Sequence, residues 1–232
     1  MELNKIYNED CFKGIKKIPD KSIDLIIIDP PYEIETSGKS KGESNIANSI
    51  LKVEKNLVND NLVNGYDLSL LNELVRVMKK INIYIWCNKK QIEKYLRYFL
   101  DIHKCKYEIL IWNKTNPMPL YKGKYMNDKE YCLYFKKDSK CMPSNYEDAK
   151  TVFISTINAK DKVKYKHPTI KPLDFIRKLI RNSSEENDVV LDCFMGSGTT
   201  AVACFLENRN FIGFEINEKY YTIANERIKE IL

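Results

Sequence analysis

A buried strand that runs into a glycine turn and then into a helix constrains this chain more than any other feature. Residues 189–193 form a mostly apolar run, and Gly196 and Gly198 follow it before a predicted helix. Glycine lets the backbone turn tightly and approach a ligand, and Glu215 closes the next predicted strand. An acid in that position can accept hydrogen bonds from both hydroxyl groups of a ribose. The pattern predicts a nucleoside cofactor and leaves both NAD and a turn without any ligand open.

The order of the predicted elements describes the rest of the fold. Short apolar or aromatic runs alternate with amphipathic segments, which predicts an open α/β sheet with helices on both faces. The runs at 107–112 and 131–135 have no helix between them, which predicts an antiparallel hairpin at one edge of the sheet. The other predicted strands are 5–7, 23–28, 82–86, 189–193 and 211–214, and the predicted helices are 67–80, 89–100, 173–182, 199–207 and 218–231.

Composition removes several classes of protein. No apolar run in the 232 residues approaches the ~20 residues that a transmembrane helix needs. The N-terminus carries no apolar secretory segment and the seven cysteines form no C-x-x-C pair, so we expect a protein of the reducing cytoplasm. Two distant histidines and no paired cysteines predict that there is no metal site. The net charge of +6 is compatible with a polyanionic partner, although a lysine-rich solvated surface explains it equally well.

The strongest chemical signal follows the apolar strand at 23–28. The next four residues are Asp29, Pro30, Pro31 and Tyr32, and ligands of open α/β sheets bind beyond the carboxyl ends of the strands. The prolines fix the backbone and remove two donors, which leaves the Pro30 carbonyl free to accept a hydrogen bond beside the Asp29 carboxylate. Two acceptors and the flat ring of Tyr32 suit an exocyclic amino group on a flat base.

Holding both N–H bonds of such an amine has a chemical consequence. An aryl amine is a poor nucleophile because its lone pair is conjugated with the ring. Two acceptors favour a pyramidal nitrogen whose lone pair can attack an electrophilic methyl group, and they stabilise the positive charge that develops in the transition state. Residues 29–32 therefore predict methyl transfer to an amine. The alternative is a proline-rich turn that has no catalytic role.

Five segments of the chain resemble one known family. Residues 29–32, with residues 194–200 far along the chain, resemble the S-adenosylmethionine-dependent amino-methyltransferases of DNA, and the order of the two motifs matches the β group of that family. Residues 7–11 resemble its Gly-Asp-Cys segment, residues 112–119 its Trp-x-Lys-x-Asn-Pro-x-Pro segment, and residues 167–172 its His-Pro-Thr-x-Lys-Pro segment. The resemblance implies the class I methyltransferase fold, a Rossmann-like open sheet of seven mostly parallel strands.

The resemblance also implies a role for each matching residue. Residues 29–32 would hold a flipped base and its amine. Glu215 would bind the ribose of S-adenosylmethionine and Asp10 its adenine, although Asp10 serves equally well as the N-cap of a helix at 11–17. Lys171 would meet the cofactor carboxylate, and His167 is expected as a structural anchor beside it. The other expected cofactor-binding residues are Cys11, Asp29, Asp192, Phe194, Gly196, Ser197, Gly198, Thr199 and Thr200.

These expectations define one function and several alternatives. The resemblance implies site-specific methyl transfer to N6 of adenine in double-stranded DNA, because Asp29 is typical of adenine enzymes within the family. Transfer to N4 of cytosine, to RNA or to a free nucleotide stays open, as does a catalytically inactive DNA-binding regulator. Methylation of pyrimidine C5 is excluded because no cysteine follows a proline. The expected setting is a prokaryotic or phage-encoded protein without a membrane partner, and a homodimer and a restriction endonuclease partner both stay open.

We expect a single catalytic domain over residues 1–232. Within it, residues 33–65 are expected to form a polar loop insertion, and residues 115–166 the target-recognition region. Four side chains of the second segment suit contacts with phosphates and bases, although a solvated loop is an equal interpretation: Tyr121, Lys122, Lys124 and Tyr125.

Overall fold

The computed structural model describes residues 1–33, 65–119, 122–123, 125–157, 163–165 and 169–231. Its strands are β1 (Lys5–Tyr7), β2 (Leu25–Ile28), β3 (Ile81–Cys87), β4 (Lys106–Lys114), β5 (Lys129–Lys137), β6 (Val152–Ser155), β7 (Val189–Asp192) and β8 (Asn210–Phe214). Its helices are α1 (Cys11–Gly14), α2 (Leu70–Val77), α3 (Ile92–Leu96), α4 (Tyr146–Ala149), α5 (Leu173–Ser183), α6 (Thr199–Leu206) and α7 (Glu218–Lys229). A 3₁₀ turn, Ile15–Lys17, continues α1, and a π-helical turn, Arg97–Ile102, continues α3. No helix in this described part of the chain is long and apolar enough to cross a membrane.

All the strands belong to one sheet, in the order β1-β8-β7-β2-β3-β5-β4-β6. Neighbouring strands are parallel except where β5 meets β3 and β4. The chain leaves β7 towards β8 and leaves β2 towards β3, so the direction of connection reverses between β7 and β2. Ligands of open α/β sheets bind at such a switch point, beyond the carboxyl ends of the strands. The segments that follow β7 and β2 therefore emerge side by side, although they are far apart in the sequence.

The sheet confirms the expected α/β fold and differs from it in two details. The described sheet has eight strands where seven were expected, and the β4–β5 hairpin does not lie at the edge. Both differences have one cause, because β6 pairs in parallel with residues 111–114 of β4 and covers that edge. The four residues of β6 lie inside an otherwise irregular polar segment, so their pattern is too short to predict a strand.

Two apolar layers cover the two faces of the sheet. Alternate residues of β2 point to opposite faces, so Ile26 and Ile28 join one layer while Leu25 and Ile27 join the other. Helix α2 contributes Leu70, Leu71, Leu74 and Val77 to the first layer, and α5 contributes Phe175, Ile176, Leu179 and Ile180 to the second. These spacings of three and four residues place each set on one helix face. Helices therefore cover both faces and leave the carboxyl edge of the parallel strands open.

Helix α2 is shorter at both ends than the sequence pattern predicts. At its start, Asp67 Oδ1 accepts a hydrogen bond from the backbone N–H of Ser69 at 2.9 Å, so the chain turns before the helix begins. At its end, Met78 is extended and forms a parallel bridge with Ile23. Local turn chemistry and pairing with the sheet override the helical periodicity there.

Candidate active site

A cavity of about 370 Å³ opens at the carboxyl edge of β7, β8 and β2. Among the described residues of its wall, acidic side chains outnumber basic ones: Glu9, Asp10, Asp29, Asp192 and Glu215 are acidic, and Lys171 is the one lysine. Its aromatic residues are Phe12, Tyr66, Trp86, Phe194, Phe214 and Tyr220. Carboxylates and flat rings together suit a small ligand that has positive charge and an aromatic group.

Glu215 follows β8 and is held by two backbone N–H groups. Its Oε2 accepts a hydrogen bond from Gly196 and its Oε1 accepts one from Asn217, both at 2.8 Å. Burial raises the pKa of Glu215, while these backbone donors favour its ionised form. Each carboxylate oxygen keeps a second lone pair. The side chain can therefore accept hydrogen bonds from two neighbouring hydroxyl groups without changing its orientation.

Asp192, the last residue of β7, is buried in the cavity wall. Its Oδ1 accepts a hydrogen bond from the backbone N–H of Phe194 at 2.9 Å. Burial raises the pKa of Asp192 to about 7, and the negative charges of Asp29 and Glu215 act in the same direction. A cation bound in the cavity would favour the ionised form. The charge of this wall therefore depends on what the cavity binds.

The turn between β7 and α6 is clamped by the C-terminal helix α7. Gly198 has a φ of +79°, and a Cβ on it would lie 2.9 Å from the Cβ of Ala224. Arg227 is buried, and its Nη1 donates to Ser197 O at 2.7 Å, to Ser197 Oγ at 2.9 Å and to Thr199 Oγ1 at 3.1 Å. Gly198 itself is absent from the cavity wall, and its expected contact with a cofactor remains a prediction.

Asp10 has two features in the structure. Its Oδ1 accepts a hydrogen bond from the backbone N–H of Phe12 at 2.9 Å, which makes it the N-cap of α1. Asp10 and the next residue, Cys11, also line the cavity. Capping the helix and contacting a cofactor are therefore compatible, and the cofactor contact remains a prediction.

The turn after β2 presents hydrogen-bond acceptors. Asp29 Oδ2 pairs with the Nζ of Lys171, whereas Asp29 Oδ1 is buried and has no hydrogen bond to a described residue. The buried Tyr32 hydroxyl does not meet hydrogen-bond geometry either, but it lies near the Asp29 carboxylate: burial, the Asp29 charge and a weak hydrogen-bonding contact between the two side chains raise the pKa of Tyr32. Among the described residues, none donates to the Pro30 carbonyl. Asp29 thus combines one paired oxygen with one unpaired oxygen.

Lys171 lies between two acids and continues a chain of charges. Its Nζ contacts Asp29 and is 3.2 Å from Glu130 Oε2, and Glu130 Oε1 is 2.5 Å from the Nζ of Lys114. Burial raises the pKa of Asp29, which Lys171 offsets only in part. Burial also favours neutral Glu130, but the two ammonium groups outweigh it and lower the pKa of Glu130 to about 2. Both lysines therefore face a carboxylate that is ionised at neutral pH.

The structure brings most of the expected site residues to one cavity. Those in its wall are Asp10, Cys11, Asp29, Pro31, Lys171, Asp192, Phe194, Gly196, Ser197, Thr199, Thr200 and Glu215. Pro30, Tyr32 and Gly198 are not part of the wall, and His167 lies outside the described residues. Because Lys171 is already paired with two acids, its expected contact with a cofactor carboxylate remains a prediction.

The expected recognition region, residues 115–166, partly belongs to the sheet. It contains β5, α4 and β6, so only its connecting segments remain for contacts outside the domain. Lys122 and Tyr125 are exposed there, whereas Tyr121 and Lys124 lie outside the described residues. The expected insertion at 33–65 is described only at its two ends. Both assignments stay predictions.

Sequence reasoning missed three charged residues of this site: Lys114, Glu130 and Arg227. Arg227 had a usable signal, because it lies seven residues after Tyr220 and three after Ala224, on the buried face of α7. Lys114 lies in a segment that the family resemblance already singled out. Glu130 is the second residue of the aromatic strand β5, and nothing in the sequence near it indicates its partners.

The fold and the site define a class I methyltransferase, with an acidic cavity at the switch point of an open sheet and an Asp-Pro-Pro-Tyr turn beside it. The chain belongs to the N6/N4 family of DNA methylases, whose family model matches residues 23–226. It is 34% identical over 250 residues to the Type II methyltransferase M.HinfI of Haemophilus influenzae. That match covers 99% of this chain and 69% of the relative.

Solved structures show the same relationship. The crystal structure of the M1.HpyAVI–SAM complex matches with a TM-score of 0.67 and 28% identity, over 96% of this chain and 98% of that one. The cytosine-N4-specific PvuII DNA methyltransferase matches with a TM-score of 0.72 over 100% of this chain and 92% of that one, at 17% identity. The second likeness concerns the fold alone. The similarity in fold therefore extends over nearly the whole chain.

Proposed function

We propose that this protein transfers the methyl group of S-adenosylmethionine to the N6 amine of a flipped adenine at specific sites in double-stranded DNA. The observation that carries the proposal is Asp29 Oδ1, a buried acceptor without a described donor in the wall of an acidic cavity. Buried acceptors are normally hydrogen-bonded, so an unpaired one beside a cavity indicates a donor on a ligand. An exocyclic amine is such a donor, and membership of a DNA methylase family supports DNA as its carrier.

The cavity residues fit S-adenosylmethionine. Asp192 offers negative charge to its ammonium and sulfonium groups, the two fixed oxygens of Glu215 match its ribose hydroxyls, and Phe194 offers a flat surface to its adenine. The volume of about 370 Å³ is within the usual range for small-molecule sites. When bound, the cofactor supplies a methyl group on cationic sulfur, and the electron pair of the broken C–S bond stays on sulfur as the methyl group passes to the amine.

Residues of the Asp-Pro-Pro-Tyr turn prepare the amine. Asp29 Oδ1 accepts one N–H and the Pro30 carbonyl accepts the other, so the nitrogen lone pair is free to form the new N–C bond. The methylated nitrogen carries an extra proton, which Asp29 accepts. Burial suits it for this role because it raises the pKa of the Asp29 carboxyl. Tyr32 stacks on the base, and the carboxylate at the first position of the turn favours adenine over cytosine.

Mass analysis of nucleosides tests the proposal. The protein is incubated with S-adenosylmethionine and mixed-sequence double-stranded DNA, and the DNA is digested to nucleosides. We expect N6-methyladenine, and the Asp29→Ala variant is the matched control that should give none. N4-methylcytosine would preserve the mechanism and overturn the assignment of the base.

Two further measurements would overturn the substrate or the activity itself. Methylation of RNA but not of DNA would move the activity to a different substrate. Failure to bind S-adenosylmethionine in a calorimetric titration, with DNA binding intact, would favour a regulator that has lost catalysis.

A further inference from the structure

The segment at 112–119 has no role in the methyl transfer described above, yet the structure connects it to Asp29. Lys114, at the end of β4, pairs with Glu130 Oε1 at 2.5 Å. Glu130 Oε2 is 3.2 Å from the Nζ of Lys171, and that ammonium contacts Asp29 Oδ2. Four alternating charges therefore lead from the hairpin β4–β5 to the acid that faces the target amine.

These four side chains are shielded from water. Their exposed fractions are 12% for Lys114, 19% for Glu130, 7% for Lys171 and 26% for Asp29. The two carboxylates and the two ammonium groups balance, so these four side chains together carry no net charge. Removing charges from water is costly, and a buried ion pair seldom stabilises a fold more than apolar packing does. Their arrangement beside the reacting atoms is therefore better explained by chemistry than by stability.

We propose that Glu130 is a positioning residue for methyl transfer, which holds the Lys171 ammonium between two carboxylates so that only Oδ2 of Asp29 is occupied and Oδ1 is left for the target amine. The inference rests on the proposed function. With Glu130 as a second counter-ion, Lys171 donates a hydrogen bond to Asp29 and keeps an ionic contact with Glu130 Oε2, whose 3.2 Å approach does not meet hydrogen-bond geometry. Without that charge, Asp29 is the one carboxylate of the described residues that remains in an ion pair with the ammonium, which then competes with the amine for it.

After burial and the charge of Lys171, the charge of Glu130 also affects the pKa of Asp29. The negative charge of Glu130 raises the pKa of Asp29. Burial alone would lower the pKa of Lys171, but the charges of Asp29 and Glu130 outweigh burial and raise it. Neutralising Glu130 should therefore move both of these pKa values downward. The other titratable groups that act on Asp29, or on which it acts, are unchanged by that substitution: Tyr32, Cys87, Tyr95, Cys132 and Asp192.

The test compares Glu130→Gln with Glu130→Asp and with a remote control, Glu73→Gln. Glu73 forms an ion pair with Arg76 on α2, away from the cavity, so its loss should leave kcat within about twofold of the parent. For Glu130→Gln we expect kcat to fall about tenfold to a hundredfold, with the dissociation constant of S-adenosylmethionine within about twofold. Both limbs of the pH profile of kcat should move to lower pH. Glu130→Asp keeps the charge and should keep both limbs near their original positions.

Two readouts separate this inference from the proposed function. Unchanged kcat in Glu130→Gln, or a lower kcat with unmoved limbs and a lower melting temperature, would overturn the positioning role. If the parent protein methylates no nucleic acid, the proposed function fails first. An NMR titration of the Asp29 carboxyl still tests whether Glu130 acts on Asp29 in that case. Glu130→Gln must move the midpoint of this titration to lower pH, and Glu73→Gln must leave it unchanged.

Discussion

The proposed site has two halves that share one cavity but are held in different ways: a proposed cofactor half, residues 192–217, and a proposed amine half around Asp29. In the cofactor half, acidic side chains accept from backbone N–H groups within a single β7–α6–β8 unit. In the amine half, side chains pair with side chains that arrive from β4, from β5 and from the segment just before α5. The contacts of the first half lie within one β–α–β unit, whereas those of the second half join segments that are far apart in the sequence.

This difference teaches where each half is vulnerable. Backbone donors stay in position when one side chain is changed. Each single substitution in the cofactor half should therefore remove only part of the affinity for S-adenosylmethionine. A buried chain of alternating charges fails more sharply, because removing one member leaves its neighbour uncompensated. Substitutions in the two halves should therefore separate binding of the cofactor from transfer of the methyl group.

The largest expected effect is on the amine half alone. Asp29→Ala removes the acceptor of the amine, so the rate of methyl transfer should fall by about 10³-fold or more, while the affinity for S-adenosylmethionine stays within about threefold. Single-turnover transfer and calorimetric titration measure the two quantities. Asp29→Asn, which keeps the shape and removes the charge, is the control and should lose nearly as much. A parallel loss of cofactor affinity would mean that the two halves are not separate.

The next effect concerns the clamp on the cofactor turn. Gly198→Ala adds a Cβ at a φ of +79° and 2.9 Å from Ala224, so the free energy of unfolding should fall by about 2–4 kcal/mol. Gly123→Ala is the matched control, since its φ is +71° and nothing lies within 4 Å of the added Cβ; about 1 kcal/mol is expected there. Urea unfolding measures both. Equal losses would show that contact with α7 is not the cause.

Substitution of Glu215 tests whether the affinity for S-adenosylmethionine can fall while kcat is nearly preserved. Glu215→Ala removes a charged acceptor, so the dissociation constant of S-adenosylmethionine should rise about tenfold to a hundredfold. At saturating cofactor, kcat should fall only a few-fold. Glu218→Ala, at an exposed position on α7, serves as the control and should bind normally. If kcat collapsed at saturation, Glu215 would belong to the amine half.

The smallest expected effect is a pH dependence of cofactor binding. Burial raises the pKa of Asp192 to about 7, so the carboxyl becomes protonated as the pH falls below that value. A cationic ligand prefers the ionised form, and its affinity should therefore weaken below pH 7, by at most about tenfold per pH unit. Titrations between pH 6 and pH 8 measure this slope, and Asp192→Asn should flatten it. A slope that survives in the variant would assign the proton to another group.

Sequence reasoning succeeded where local structure depends on short contiguous segments. The apolar run of β7, the glycine turn and the Asp29–Tyr32 turn were each readable because strand, turn and helix signals follow one another within a few residues. It failed at β6, whose four residues form a strand only because β4 offers an edge. It also missed Arg227, since the helical pattern was assigned to apolar residues and a buried arginine breaks that rule.

The amino-acid sequence by itself determined the order of the strands and helices other than α4 and β6, the acid and the glycines of the turn after β7, and the acceptors beside β2. These depend on local backbone preferences and on residue chemistry, which are legible along the chain. Only the tertiary structure decided that Lys114, Glu130 and Lys171 form one line of charge to Asp29, and that α7 locks the cofactor turn. Such contacts join segments far apart in sequence, and electrostatic pairing between them depends on distances that only the folded sheet sets.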